Sequence, residues 1–107
     1  MAPFTLHDLA ARLHERANAS AEASYTRKLL DKGVAHCAKK LGEEAVETAL
    51  AAVTEDRERL IAETADLLYH LLVLLEARGV SLAEVEAALA GRVAKSGLEE
   101  KTSRRRD

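Results

Sequence analysis

The residues of this chain best placed to do chemistry are two pairs of acids. Glu44 and Glu47 sit three apart in the run Gly42-Glu43-Glu44-Ala45-Val46-Glu47, and Glu63 and Asp66 repeat that spacing just before the mostly apolar stretch Leu67 to Leu75. Residues three apart on a helix share one face, a turn apart. Two such helices packed side by side would gather four carboxylates. Anions do not collect beside apolar side chains unless a cation compensates them. A donor set made only of oxygens suits a hard ion, and Mg²⁺ is the expected one.

The plainer alternative is a solvated helix face. At about 100° per residue, His36, Lys40, Glu43, Glu44 and Glu47 fall within an arc of roughly 100°. Arg59, Glu63, Asp66 and His70 form a second stripe, bordered by Leu67, Leu71 and Leu74. On that reading Lys40 and Arg59 are simply ion-pair partners of the acids. Aspartate is a poor residue for a helix interior, yet Asp66 enters the most apolar helix of the chain, which favours the metal. Ferritin-like di-iron sites need Glu-x-x-His, and no histidine here follows a glutamate by three. From spacing alone His70 reads as a core histidine, Tyr69 as packing and Cys37 as inert. Lys28 and Lys32 flank Gly33 and could face phosphates or solvent equally well.

The elements that must position these groups are helices. Thr5 can cap a first one, with Leu6, Leu9, Ala10 and Leu13 as its apolar stripe. Asn18 to Ser24 is small and polar, the expected loop. Thr26 to Lys32 can make one or two turns before Gly33 breaks them. A long helix is expected from Val34 to Val53. Gly42 inside it costs roughly 1 kcal/mol relative to alanine, which suggests close approach by a neighbouring helix or a ligand. The next helix spans Glu55 to Arg78 and stops at Gly79. Ser81 with Glu84 forms a capping box for a last helix reaching about Ala94. The tail from Ser96 reads as irregular. Leu67 to Leu75 is apolar on nearly every side, so that helix should be buried all round. A chain of 107 residues can hardly enclose it alone, and a homodimer with this helix at the shared core is expected.

Composition supports one helical domain over residues 1–107. The chain has no Trp, one Phe and two Tyr, so its core must be aliphatic, and its one proline, Pro3, precedes the first helix. No apolar run approaches the roughly 20 residues of a membrane span, and the N-terminus has no signal-peptide pattern. A single cysteine fits a reducing, cytoplasmic setting. Net charge is −2. Residues 96–107 carry Lys101 and Arg104 to Arg106, a basic end expected to be flexible, on an otherwise acidic body. That balance argues against nucleic-acid binding.

Taken together these motifs resemble the all-α, MazG-like nucleoside triphosphate pyrophosphohydrolases. Within that superfamily the chain is similar to the phosphoribosyl-ATP pyrophosphatase family of histidine biosynthesis. The resemblance is carried by Ser24-Tyr25-Thr26 with Lys28-Leu29-Leu30 and Lys32-Gly33, by Lys40-x-Gly42-Glu43-Glu44-Ala45-Val46-Glu47, and by Glu63-x-Ala65-Asp66-Leu67-Leu68-Tyr69-His70. Arg78-Gly79-Val80-Ser81-Leu82 and Ser96-Gly97-Leu98-Glu99-Glu100-Lys101 extend it, while residues 1–23 lie outside it. The resemblance implies a four-helix bundle with a dimeric core. It also implies Mg²⁺-dependent hydrolysis of 1-(5-phosphoribosyl)-ATP to phosphoribosyl-AMP and pyrophosphate. By the same analogy Glu44, Glu47, Glu63 and Asp66 are metal ligands, Glu43 is a further catalytic acid, and Tyr25, Lys28, Lys32, Lys40 and His70 are substrate contacts. The family's cyclohydrolase partner domain does not fit in a chain this short, so a stand-alone pyrophosphatase is expected. The alternatives are a house-cleaning nucleotide pyrophosphatase and a non-catalytic helical dimerisation module.

Overall fold

Local chemistry sets each helix boundary in the computed structural model, which describes residues 2–20 and 24–95. Helix α1 (Leu6–Arg16) starts at Thr5, whose hydroxyl accepts the Asp8 N–H at 3.1 Å while the Asp8 carboxylate accepts the Thr5 N–H at 3.0 Å. Helix α2 (Tyr25–Asp31) starts at Ser24, which accepts the Arg27 N–H at 3.2 Å. Gly33, at φ 96°, takes a backbone shape closed to most other residues and separates α2 from α3 (Val34–Thr54). Helix α4 (Arg57–Ala77) begins two residues later than the hydrophobic pattern suggests, because Asp56 leaves the helix to cap it, accepting the Arg59 N–H at 2.8 Å. At its other end Gly79, at φ 69°, closes a Schellman turn: its N–H reaches the Glu76 carbonyl and that of Val80 reaches Leu75. The expected capping box of Ser81 and Glu84 opens α5 (Leu82–Val93). Hydrogen bonds from the Ser81 N–H and hydroxyl hold the Glu84 carboxyl below the usual range.

The all-α expectation holds among the described residues, with a seven-residue α2 added to the four longer helices. Residues 21–23 of the expected loop, and the tail from Ser96 with its basic residues, lie outside the described residues.

The core is aliphatic and sits at one end. Leu13, Leu29, Cys37, Leu72 and Val73 form it, with Leu9, Leu30, Tyr69, Leu75 and Leu82 packed around them. Cys37 is inert, as expected: its thiol is buried, donates to the Leu29 carbonyl at 3.3 Å, and is pushed up by burial.

Away from that end, α3 and α4 run on as an antiparallel hairpin joined by Glu55 and Asp56. This is the part that carries the two acidic pairs. It is two helices thick, and Ala51 is the one fully buried apolar residue between Leu41 and Leu71. Val46, Leu50 and Val53 are 59%, 58% and 83% exposed. Leu67, Leu68 and Leu71 are half-buried rather than enclosed. The close approach by a neighbouring helix expected at Gly42 does not occur among the described residues. The glycine lies on the open face of α3, with no packed neighbour within 4 Å of where a Cβ would stand.

Candidate metal centre

The antiparallel hairpin brings the two acidic pairs opposite each other. One carboxylate oxygen from each of Glu44, Glu63 and Asp66 lies within 4.8 Å of the others. The three differ in setting: Glu63 is buried, Glu44 half-buried and Asp66 exposed, so the cluster opens from the helix seam toward solvent. Thr48 pins the seam. Its hydroxyl lies 2.8 Å from the Glu44 carbonyl and 3.0 Å from that of Glu63, across the two helices. Thr48 had no signal in the sequence beyond its place one turn after Glu44. Thr48→Val should cost about 1 kcal/mol of stability and loosen the Glu44–Glu63 register. Thr48→Ser should restore both. Urea unfolding together with Mg²⁺ titration checks this.

Electrostatics at Glu63 are adverse. Burial raises its carboxyl above the ordinary value of 4.5; Arg59 opposes this, while the neighbouring carboxyl of Glu47 and the charge of Asp66 push it further up. One oxygen meets Arg59 Nη2 at 2.8 Å, and the other is buried with no donor. Glu44 Oε2 is likewise buried and unpartnered. A buried carboxylate oxygen without a donor is costly. Two of them on members of an all-oxygen cluster are what a hard divalent cation satisfies, so the residues present fit Mg²⁺.

Other expected site residues divide cleanly. Glu47 is not within the three-acid cluster; it stands against Glu63 and lines a shallow hollow with Leu50, Thr54 and Arg59. Glu43 is exposed and pairs with Lys40 at 3.5 Å, so the structure keeps it off the cluster. Tyr25, Lys28, Lys32 and Lys40 line one cavity of about 470 Å³ between α2 and α3, together with Leu29, Asp31 and His36. His36 was visible on the arc of Lys40 and the acids but was not among the expected substrate contacts. His70 does not join that cavity. It is 7% exposed, bonds the Asp66 carbonyl through Nδ1 at 2.9 Å, and packs edge-on to Tyr69. Its place one turn after Asp66 carries it inward with the core stripe, as spacing alone indicated. Tyr69 is packing too: its hydroxyl meets Thr26 Oγ1 at 2.7 Å, and Tyr25 stacks on its ring.

Fold and site together define an all-α protein whose acids pair across a helical hairpin beside a lysine-lined cavity. Residues 6–93 match the family model described as Phosphoribosyl-ATP pyrophosphohydrolase, and the chain belongs to that family. The match takes in α1, which the motif resemblance did not reach. Among curated relatives, Phosphoribosyl-ATP pyrophosphatase 1 of Rhodopseudomonas palustris is 67% identical over 107 residues, covering 100% of both chains. Its namesake from Bradyrhizobium diazoefficiens is 68% identical over 105 residues, covering 98% of this chain and 99% of its own. The Phosphoribosyl-ATP pyrophosphatase of Paracoccus denitrificans is 53% identical over 103 residues, covering 96% and 95%.

Proposed function

We propose that this protein hydrolyses 1-(5-phosphoribosyl)-ATP to phosphoribosyl-AMP and pyrophosphate in histidine biosynthesis, with Mg²⁺ as its cofactor. The single observation that carries the chemistry is the Glu44, Glu63 and Asp66 cluster with its two buried, donorless oxygens. Family membership and relatives named for this activity support the substrate.

Glu44, Glu63 and Asp66 would hold Mg²⁺, with Glu47 as the fourth carboxylate from its position against Glu63. The bound ion supplies charge neutralisation on the phosphates and a more acidic water. Thr48 holds the two acid-bearing helices in register, and Arg59 fixes the rotamer of Glu63. Lys40, one turn before Glu44 on the same arc, offers its ammonium to the polyphosphate. Glu43 shares that ammonium and tunes its position.

The protein is proposed to act as a homodimer, supported by the open apolar stripe of Val46, Leu50 and Val53. A cytoplasmic setting suits its lone, buried thiol. Among the described residues no helix is long and apolar enough to cross a membrane.

Turnover assays separate this reading from a general nucleotide pyrophosphatase. With Mg²⁺, phosphoribosyl-ATP should give pyrophosphate with a kcat/KM far above that for any deoxynucleoside triphosphate. Equal or better use of the latter would overturn the assignment.

Metal and proton should compete at Glu63. Its carboxyl is raised in the fold, so the stability contributed by its protonated form is fully present below the ordinary value of 4.5 and is lost as pH rises through the raised folded value. Mg²⁺ should offset that loss. The rise in Tm at millimolar Mg²⁺ should therefore be small near the acid end and grow as pH climbs through this window. Linkage sets its size, about 2.7 kcal/mol at a concentration 100 times Kd. Thermal melts at several pH values, with and without Mg²⁺, check it.

A further inference from the structure

The α2–α3 cavity holds more cationic chemistry than the metal centre uses. Lys28, Lys32, His36 and Lys40 line it. Its one acid, Asp31, is engaged by Arg27 at 2.9 Å, so the lysines are not cancelled from within. Tyr25 contributes an aromatic ring, the residue being 57% exposed. Tyr69 backs that ring: the two stack with centroids 6.4 Å apart, and the Tyr69 hydroxyl meets Thr26 Oγ1.

The cavity also lies at a graded distance from the acids. Lys40 is one turn from Glu44 and His36 two turns, about 6 and 12 Å along α3 at 1.5 Å per residue. Lys28 and Lys32 belong to the neighbouring helix α2 and its end. The near lysine is placed for the polyphosphate beside the cation. His36 stands a turn further from the acids, and among the described residues neither Lys28 nor Lys32 forms an ion pair with an acid of the site.

We propose that Lys28, Lys32 and His36 form a phosphomonoester site for the sugar phosphate that distinguishes phosphoribosyl-ATP from ATP, with Tyr25 as the face against which the adjoining ring or pentose packs. The proposal rests on the functional reading above and deepens it. It makes the α2–α3 cavity the source of substrate selectivity, because a simple nucleoside triphosphate has no anion to place there. Three cationic or hydrogen-bonding groups around a dianion, with an aromatic wall, match a phosphorylated pentose rather than a free base.

The test uses the full-length, Mg²⁺-loaded protein and ribose 5-phosphate as probe. Ribose 5-phosphate should compete with phosphoribosyl-ATP, and ribose at equal concentration should not. The doubly substituted Lys28→Met, Lys32→Met protein should show KM raised by at least about tenfold, the scale of lost charge-assisted contacts. Its kcat should stay within about threefold, because the far site touches no reacting atom. Competition by ribose 5-phosphate should vanish in that protein and persist in the Lys28→Arg, Lys32→Arg version. Competition that survives in the methionine protein, or a KM left unchanged there, overturns the proposal. Should the wild type fail to hydrolyse phosphoribosyl-ATP, the functional reading falls instead. Calorimetric binding of ribose 5-phosphate, lost in the methionine protein, then judges the cavity independently.

Discussion

Glu63→Gln should abolish turnover and yet make the metal-free protein more stable. Glu63 is the most buried acid of the cluster, and its charge is already disfavoured by burial and by Glu47 and Asp66. The amide keeps the shape and still accepts a hydrogen bond from Arg59. It removes one charge from a like-charged group, so the apo Tm should rise. The same change removes one of the proposed cation ligands. If metal electrostatics supply several kcal/mol to phosphoanhydride cleavage, kcat/KM should fall by roughly 1,000-fold or more. The Mg²⁺-induced rise in Tm should shrink in parallel. Glu43→Gln is the control, since Glu43 is exposed and among the described residues pairs with Lys40 alone; it should change kcat/KM by less than about tenfold. A Glu63→Gln enzyme that keeps wild-type turnover, or a Glu43→Gln enzyme that loses as much, would remove the cluster from the chemistry.

Much of this site is legible in the sequence because helices convert spacing into geometry. The i, i+3 pairs at Glu44 and Glu47 and at Glu63 and Asp66 fix faces, and the short break at Glu55 and Asp56 forces the helices antiparallel. Caps at Thr5 and Ser81 follow from hydroxyls placed before apolar periodicity. What sequence does not give is the phase between two helices. That phase puts Glu44 with Glu63 and Asp66 while turning Glu47 toward the hollow beside Arg59 and Glu43 toward Lys40. Thr48 helps set it through a hydrogen bond to a carbonyl on the other helix, which no one-chain periodicity encodes. His36 shows the converse. It was on the arc, but only the placement of α2 against α3 makes that arc a cavity wall. Gly42 shows the same limit, since a glycine in a helix suggests close approach by a helix or a ligand, and among the described residues no helix arrives.

If the proposed homodimer forms through α3, Leu50→Glu should leave the protein a monomer. Val46, Leu50 and Val53 recur at i, i+4 and i+7 on α3, which is one stripe of the helix. All three are more than half exposed in a hairpin two helices thick. The hairpin is the part of the fold least able to stand on its own packing, because its acids and its apolar residues are borne by the same two helices. Half-covered apolar side chains of this size each leave on the order of 1 kcal/mol of burial unrealised. In the proposed dimer a second copy would cover that stripe in a way solvent cannot. A glutamate at the stripe's centre must then either be buried without a partner or keep the copies apart, at a cost of about 3 kcal/mol or more. That corresponds to association weakened by at least roughly 100-fold. Sedimentation at micromolar concentration should give twice the chain mass for the wild type and the single-chain mass for Leu50→Glu, with helical circular dichroism retained at low temperature. A wild type that sediments as a stable monomer, or a Leu50→Glu protein that remains a dimer, would mean the stripe is not the interface.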